Sequence, residues 1–126
     1  MNFTVYGIPV PKARPRMTKT GHCYTPKKTA DYEFLVQQVW HHTGREKLEG
    51  AIRLEVVFYY NRPKSATSRN HHVVKPDLDN LIKSVLDGLN GLAFHDDSQV
   101  VEISARKQYT YAKPRAEIML ETAPEF

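Results

Sequence analysis

The chain has very little cysteine and no long apolar run. Cys23 is the single cysteine among 126 residues, so an internal disulfide is excluded and a reducing compartment, the cytoplasm, is expected. No apolar stretch approaches the ~20 residues that a membrane-spanning helix needs. Residues 1–10 lack the charged start and apolar stretch of a signal peptide. We therefore expect a cytoplasmic protein without a membrane partner.

Acidic residues are missing from two long stretches, residues 1–30 and 61–76, although both carry several cations. Prolines interrupt both stretches, which predicts loops. With a formal net charge of +4, the chain favours a polyanionic partner. Two basic loops on one small domain can form the walls of a phosphate-binding groove, and solvated surface is the alternative interpretation. The predicted DNA contacts are Lys12, Arg14, Arg16 and Lys75.

The hydrophobic pattern predicts one α+β domain over residues 1–126, because the chain is long enough for one core and too short for two. Periodicity predicts the order β-α-β-α-β-β, a mixed sheet with two helices packed on one face. The first helix is expected to start at Thr25-Pro26 or at Thr29 and to end near Gly44. The predicted strands are residues 3–8, 51–60, 99–109 and 115–121, the last two forming a hairpin that turns at 111–114.

Two pairs of acids stand out in this basic chain. Asp77 and Asp79 lie at the expected start of the second helix, and Asp96 and Asp97 lie between that helix and the next strand. Each has a structural interpretation. The first pair can cap the helix, the second can form a turn, and Asp79 and Asp87 can each pair with Lys83 one helical turn away.

The clustering of the acids makes a metal site an alternative of equal weight to these structural roles. Capping needs one acid, whereas Asp77 and Asp79 lie two residues apart with Asn80 beside them. Clustered carboxylates repel one another unless a cation neutralises them, and a hard divalent ion does so. Asp96 and Asp97 follow between a helix and a strand, where the chain can fold back toward Asp77 and Asp79. The sequence therefore predicts a metal-dependent nuclease, in which bound metal stabilises the charge of the transition state.

Two separated blocks of sequence resemble the signature of the RusA family of Holliday junction resolvases. The similarity is specific over residues 75–107 and extends weakly to the N-terminal basic loop. The matching blocks are Asp77-Leu78-Asp79-Asn80-Leu81 with Lys83, Asp87 and Leu89, then Asp96-Asp97-Ser98-Gln99-Val100, and, more weakly, Gly7-Ile8-Pro9 and Lys12-Ala13-Arg14-Pro15-Arg16.

The resemblance implies a small homodimeric endodeoxyribonuclease, of the kind found in phages and prophages, that cuts four-way DNA junctions symmetrically with Mg²⁺ or Mn²⁺. No small-molecule cofactor is implied. By position, Asp77, Asp79 and Asp97 match the metal-binding aspartates, and Asp96 matches the acid beside the last of them. Lys83 matches a functionally important lysine of the family.

The residues alone leave several points open. Lys83, one helical turn beyond Asp79, could reach the scissile phosphate or orient the attacking water. The number of metal ions, the sequence preference at the cut and the roles of His71, His72 and His95 are not determined. A nuclease of flaps or other branched DNA would need the same acids. A DNA-binding module without catalysis would use them only as caps and ion-pair partners.

Overall fold

The computed structural model describes residues 1–64 and 71–125; residues 65–70, within the second basic loop, lie outside the described part. Four long strands and two α-helices account for most of it. The elements are β1 Asn2–Tyr6, β2 Arg16–Met17, β3 Cys23–Tyr24, α1 Lys27–His42, β4 Ile52–Asn61, α2 Leu78–Leu89, a 3₁₀ turn Asp97–Gln99, β5 Val100–Thr110 and β6 Arg115–Thr122. Within the described ranges no helix is long and apolar enough to cross a membrane.

The main sheet has the strand order β1-β6-β4-β5. β4 pairs in parallel with β5 and antiparallel with β6, and β6 pairs antiparallel with β1. α2 supplies the crossover that a parallel β4–β5 pair requires. The predicted α+β class, mixed sheet and element order are confirmed. The short β2–β3 ribbon within the first basic loop was not predicted.

Both helices cover one face of this sheet. Alternate residues of β4 are fully buried and the intervening ones are more exposed, as expected for a strand with one covered face. α1 and α2 approach closely at Gly88, where an added Cβ would lie 3.0 Å from the Val36 Cβ and 3.1 Å from the Glu33 carbonyl oxygen. The core between helices and sheet includes Ile52, Leu54, Val56, Phe58, Tyr32, Val36, Trp40, Leu81, Val85 and Leu89.

The predicted hairpin between the last two strands is wrong. The chain does turn at residues 111–114, but β4 lies between β5 and β6 in the sheet. The local sequence indicates the turn and the two strands, but it does not show which strand each of them pairs with. β4 takes the place between them, because its buried Leu54, Val56 and Phe58 make it the central strand of the core. The turn therefore passes over the end of β4 and joins strands that are not neighbours.

The first helix begins at Lys27 after Pro26, which is the first of the two predicted starts. Thr29 lies inside the helix and is buried. Its hydroxyl donates to the Pro11 carbonyl oxygen and accepts from the Ala13 amide, both at 3.2 Å. Thr29 therefore fastens the first basic loop to α1 and does not cap the helix.

Candidate active site

The residue just before α2 is an acid whose side chain does not cap the helix. Asp77 occupies the N-cap position with extended backbone angles, and its carboxylate makes no capping hydrogen bond within the described structure. The partial positive charge of a helix N-terminus favours carboxylates at this place. Because capping needs the side-chain oxygens and Asp77 leaves them exposed, the capping interpretation does not account for this residue.

Asp79 lies in the first turn of α2 and is also exposed. One of its oxygens accepts from the amide of the next residue, Asn80, at 2.9 Å. Neither Asp77 nor Asp79 forms an ion pair within 4.0 Å with any residue of the described ranges. Lys83 instead approaches Asp87, with 3.7 Å between Nζ and Oδ1, and its side chain is 60% exposed. Two exposed carboxylates without an ion-pair partner in the described residues therefore lie at the beginning of α2, and Lys83, near Asp87, lies in the middle of the helix.

A lysine from β5 fixes the segment that leads into Asp77. Lys107 Nζ donates to the carbonyl oxygens of Val74 and Pro76, both at 2.8 Å. This role was not predicted from the sequence. The sequence does contain a sign of this role. Lys107 follows Ile103 and Ala105 at alternate positions of β5, where an apolar residue is expected. A cation at such a position needs acceptors, and here it finds two carbonyl groups beside the first acid pair.

The first basic loop is bonded to the two helices through residues that precede Arg14 and Arg16. The Lys12 amide donates to the Asn80 carbonyl oxygen at 2.8 Å. Lys12 Nζ lies 2.8 Å from a Glu33 carboxylate oxygen and 3.1 Å from one of Asp87, between α1 and α2. Burial by itself lowers the pKa of the Lys12 ammonium group. The hydrogen bonds and charges of Glu33 and Asp87 outweigh this effect, so the pKa is raised. Lys12, a predicted DNA contact, thus faces inward, whereas Arg14 and Arg16 are exposed.

A cleft of about 800 Å³ opens between the anchored loop and the start of α2. Its walls combine prolines and aliphatic side chains with cations, and Asp77 and Asn80 lie in its lining. Tyr60, whose hydroxyl donates to the Pro9 carbonyl oxygen at 2.9 Å, closes one side. The charged lining residues besides Asp77 are Lys12, Arg16, Lys28 and Lys75. The cleft therefore brings together residues of both predicted basic loops with Asp77, and its binding of phosphate stays a prediction.

Asp96 and Asp97 lie at the opposite end of α2. Asp96 forms a capping box: its carboxylate accepts from the Ser98 amide at 3.0 Å, and Gln99 Oε1 accepts from the Asp96 amide. Hydrogen bonds from Ser98 lower the pKa of the Asp96 carboxyl group. Gln99 Nε2 also donates to the carbonyl oxygens of Leu48 and Gly50. Asp96 is therefore engaged in holding the turn, whereas Asp97 follows it with an exposed side chain.

The two acid pairs do not meet within one chain. Pro76 is bound by Lys107 near the end of β5, whereas Gln99 immediately precedes the strand. Eight residues of strand span about 26 Å. Within residues 1–64 and 71–125, no three His, Cys, Asp or Glu residues are close enough to hold a metal ion. The expectation that the chain returns to the first pair is wrong for a single protomer, because α2 and β5 separate the pairs.

The histidines near the acids have structural partners. His72 is buried and stacks on Tyr60, with ring centroids 4.4 Å apart, and it meets Tyr109 edge-on. Burial, and then the positive charge of Lys107, lowers the pKa of His72. His95 Nε2 lies 2.8 Å from a Glu49 carboxylate oxygen on the surface. His72 thus packs the segment before Asp77 against the sheet.

Comparison with known proteins agrees with the geometry. Residues 7–121 match the family model described as endodeoxyribonuclease RusA. The chain is also 34% identical, over 135 aligned positions, to the uncharacterized protein YqaN of Bacillus subtilis strain 168. That alignment covers 95% of this chain and 94% of the relative. The match therefore includes both basic loops as well as the two acid pairs.

Proposed function

The chain belongs to the RusA family of endodeoxyribonucleases, and from that premise we propose that it hydrolyses phosphodiester bonds in four-way DNA junctions with Mg²⁺ or Mn²⁺. The observation that carries the proposal is the pair Asp77 and Asp79. Their carboxylates are exposed and lack a cationic partner within the described structure, and Asp77 lines a basic cleft. Two unneutralised acids would repel a DNA backbone, unless a divalent ion lies between them and the phosphate.

The donor set fits such an ion. Carboxylate and amide oxygens are the ligands that hard divalent cations prefer, and Asp77, Asp79 and the adjacent Asn80 side chain present them at one helix terminus. Asp77 and Asp79 would hold the metal, with Asp97 completing the site and Asp96 keeping the turn before Asp97 in place. When bound, the metal supplies Lewis-acid stabilisation of the phosphate charge and a more acidic water.

We further propose that two copies of the chain form each site. Asp77 and Asp79 lie at one end of α2 and Asp97 beyond the other, so Asp97 must come from elsewhere to join them. A two-fold symmetric dimer turns the Asp97 end of one protomer toward the Asp77 end of the other, and the inverse contact follows by symmetry. Two equivalent sites also suit a four-way junction, whose approximate two-fold axis relates the strands to be cut.

The remaining residues would bind and position the DNA. Arg14, Arg16 and Lys75 are exposed, the last two in the lining of the cleft, and would contact backbone phosphates. Lys83, on the same face of α2 as Asp79, would donate to the scissile phosphate or orient the attacking water. Lys12 supports the loop through Glu33 and Asp87, so its contribution to binding would be indirect.

The decisive experiment compares labelled four-way junctions, flaps and linear duplexes of matched sequence, each incubated with Mg²⁺ or with EDTA. We expect paired symmetric cuts in the junction with Mg²⁺ alone and much slower cleavage of the duplex. Preferential cutting of flaps would reassign the substrate to other branched DNA. Tight junction binding without cleavage in any divalent metal would contradict the nuclease assignment.

A further inference from the structure

Tyr111 is the most exposed large hydrophobic side chain among the described residues. It follows the C-terminal end of β5 directly and is 86% exposed. Single exposed hydrophobic residues are common on protein surfaces and need no special role. Tyr111 differs from such residues in two respects, because its turn is fixed to the rest of the fold and because its ring continues a row of packed groups that begins at the cleft.

The turn that carries Tyr111 is held by hydrogen bonds on both sides. The carbonyl oxygen of Thr110, the residue before it, accepts from the Arg62 amide at 3.1 Å. On the other side, the Pro114 carbonyl oxygen accepts from the Gly7 amide at 3.1 Å. The turn is thus bonded to the residues that directly follow β4 and β1. A ring on a fixed turn loses less conformational entropy on binding than a ring on a free loop.

A row of aromatic rings and one guanidinium group connects Tyr111 with the cleft. Tyr60 lines the cleft together with Asp77, and His72 contacts the rings of both Tyr60 and Tyr109. The Arg62 guanidinium carbon lies 5.6 Å from the centre of the Tyr109 ring and 5.0 Å from the centre of the Tyr111 ring. Both distances suit a cation–π contact. The row therefore leads from the cleft wall to the exposed ring.

The segments around Tyr111 carry cations and no acids. Residues 56–76 and 103–116, which include the C-terminal ends of β4 and β5 and the segments that follow them, contain no aspartate or glutamate. Lys64 and Lys113 are exposed in these segments. Proteins that bind single-stranded nucleic acid combine cations for the backbone with aromatic rings on which the bases stack. The surroundings of Tyr111 provide both groups.

We propose that Tyr111 stacks on a nucleobase whose face is uncovered at the branch point of the DNA. In an uninterrupted duplex, neighbouring bases cover both faces of every base. Where arms meet or a strand branches off, the last base pair of an arm has a free face. A ring that is held in place by the protein can cover this face, and Arg62 supports the ring from behind.

The position of Tyr111 is compatible with contact to the same DNA arm that enters the cleft. Lys107 binds the carbonyl oxygen of Pro76, next to Asp77. Tyr111 follows Lys107 by four residues, which corresponds to about 13 Å of extended chain. This length equals about four nucleotides of one DNA strand. The inference rests on the proposed function and specifies how branched DNA is distinguished from duplex.

Binding measured in EDTA tests the stacking contact without cleavage. Tyr111→Ala should weaken binding of a four-way junction by about five-fold or more, as expected for the loss of one base–aromatic stack. Tyr111→Phe keeps the ring and should bind as wild type does, whereas Tyr111→Leu should resemble Tyr111→Ala. The affinity for an uninterrupted duplex should not change. The dependence of junction affinity on salt should also stay the same, because no charge is removed.

Phe34→Ala is the matched control, because Phe34 is an exposed aromatic residue on α1, 59% exposed and outside the row. Its junction affinity should equal that of wild type. The contact can also be located directly with iodouracil at the branch point, which loses iodide on irradiation and bonds to an aromatic ring that it touches. The cross-linked peptide should contain Tyr111, and Tyr111→Leu should remove the cross-link. Iodouracil in the interior of an arm should not cross-link to Tyr111.

The outcomes separate the stacking contact from the nuclease. An unchanged junction affinity of Tyr111→Ala overturns the proposal, even if the protein cuts junctions. An equal loss of affinity for junction and duplex, or a flatter salt dependence, makes Tyr111 a backbone contact and also overturns it. A loss confined to branched DNA, in a protein that cleaves nothing with any divalent metal, supports the stacking contact and contradicts the nuclease assignment.

Discussion

Asp77 and Asp96 have the same formal position, the residue before a helical turn, but different roles. The Asp96 carboxylate is committed to the Ser98 amide, whereas the Asp77 carboxylate is exposed and makes no capping bond within the described residues. The sequence offers a structural role for both, a helix cap for Asp77 and a turn for Asp96, because aspartate is favoured at either place. Only the hydrogen bonds show that Asp77 is available for a ligand.

Neutralising the first acid pair should abolish cleavage while leaving binding intact. Asp77→Asn and Asp79→Asn each remove one negative charge from the proposed site, and each should slow junction cleavage by at least ~10²-fold. Junction binding without metal should be retained or tightened, because repulsion of phosphate falls. Single-turnover cleavage and gel-shift titration measure the two effects separately.

The matched control for these variants is Asp31→Asn. Asp31 is an exposed acid on α1 that pairs only with Lys27 among the described contacts, so its cleavage rate should stay near wild type. Asp97→Asn should resemble the Asp77 variant. Wild-type rates in the Asp77 and Asp79 variants would return both acids to a structural role.

His72 should make the stability of the fold dependent on pH. Its pKa is lowered in the folded state by burial and by Lys107, so the unfolded chain binds the proton more readily. The free energy of unfolding should therefore fall as the pH drops below the ordinary histidine value of about 6.5. His72→Phe keeps an aromatic ring against Tyr60 and removes the titration. Its melting temperature should decline less than that of wild type on acidification.

An exposed histidine provides the comparison. His22→Gln changes a residue on the surface and should leave the acid-induced decline of the melting temperature unchanged. If His72→Phe loses as much thermal stability on acidification as wild type does, other groups cause the decline.

At the scale of elements, the first basic loop has a rigid part and an exposed part. Its residues up to Ala13 are bonded to α1, to α2 and to Tyr60, and the exposed Arg14 and Arg16 follow immediately. A fixed base limits the conformational entropy that the arginines lose on binding. The loop is therefore suited to presenting cations at a defined distance from Asp77.

Removing these arginines should weaken binding and reduce its dependence on salt. The double variant Arg14→Ala, Arg16→Ala should lower junction affinity and flatten the plot of log K against log salt concentration. The slope should change by about 0.9 for each phosphate that is no longer bound. Arg14→Lys with Arg16→Lys keeps both charges and should keep most of the slope. An unchanged slope in the alanine variant would assign the loop to a role other than phosphate binding.

The positions of the helices and strands were largely predictable from the sequence, whereas the neighbours of each strand in the sheet were not. Period-two alternation marks β4, and the apolar arc of α2 marks its buried face, because both patterns are local. The neighbours of β6 depend on residues more than fifty positions away, so a β5–β6 hairpin was the natural local expectation. Likewise, spacing revealed the acids of the candidate site, but it did not show that α2 keeps the two pairs apart or that Lys12 faces inward.

At the scale of the whole molecule, the separation of the acid pairs predicts complementation between inactive variants. Suppose that each site takes Asp77 from one protomer and Asp97 from the other. A heterodimer of Asp77→Asn with Asp97→Asn then has one site carrying both changes and one site carrying neither. Random pairing of co-expressed variants should restore about one quarter of the wild-type sites.

The heterodimer should nick one strand of a junction, whereas wild type cuts two. Each variant purified alone is the control and should stay inactive, because both of its sites carry a substitution. If the co-expressed mixture is as inactive as the separate variants, each site is built within one chain.

The order of strands in the sheet also affects how the protein is made. β1 leaves the ribosome first, yet its strand partner is β6, which is the last strand to be synthesised. Until β6 emerges, the backbone of β1 and one edge of β4 lack their native hydrogen-bonding partners. Pairings between distant segments form slowly and leave such surfaces open to aggregation. Production of this protein should therefore benefit from slow synthesis at low temperature, with chaperones available to shield the nascent chain.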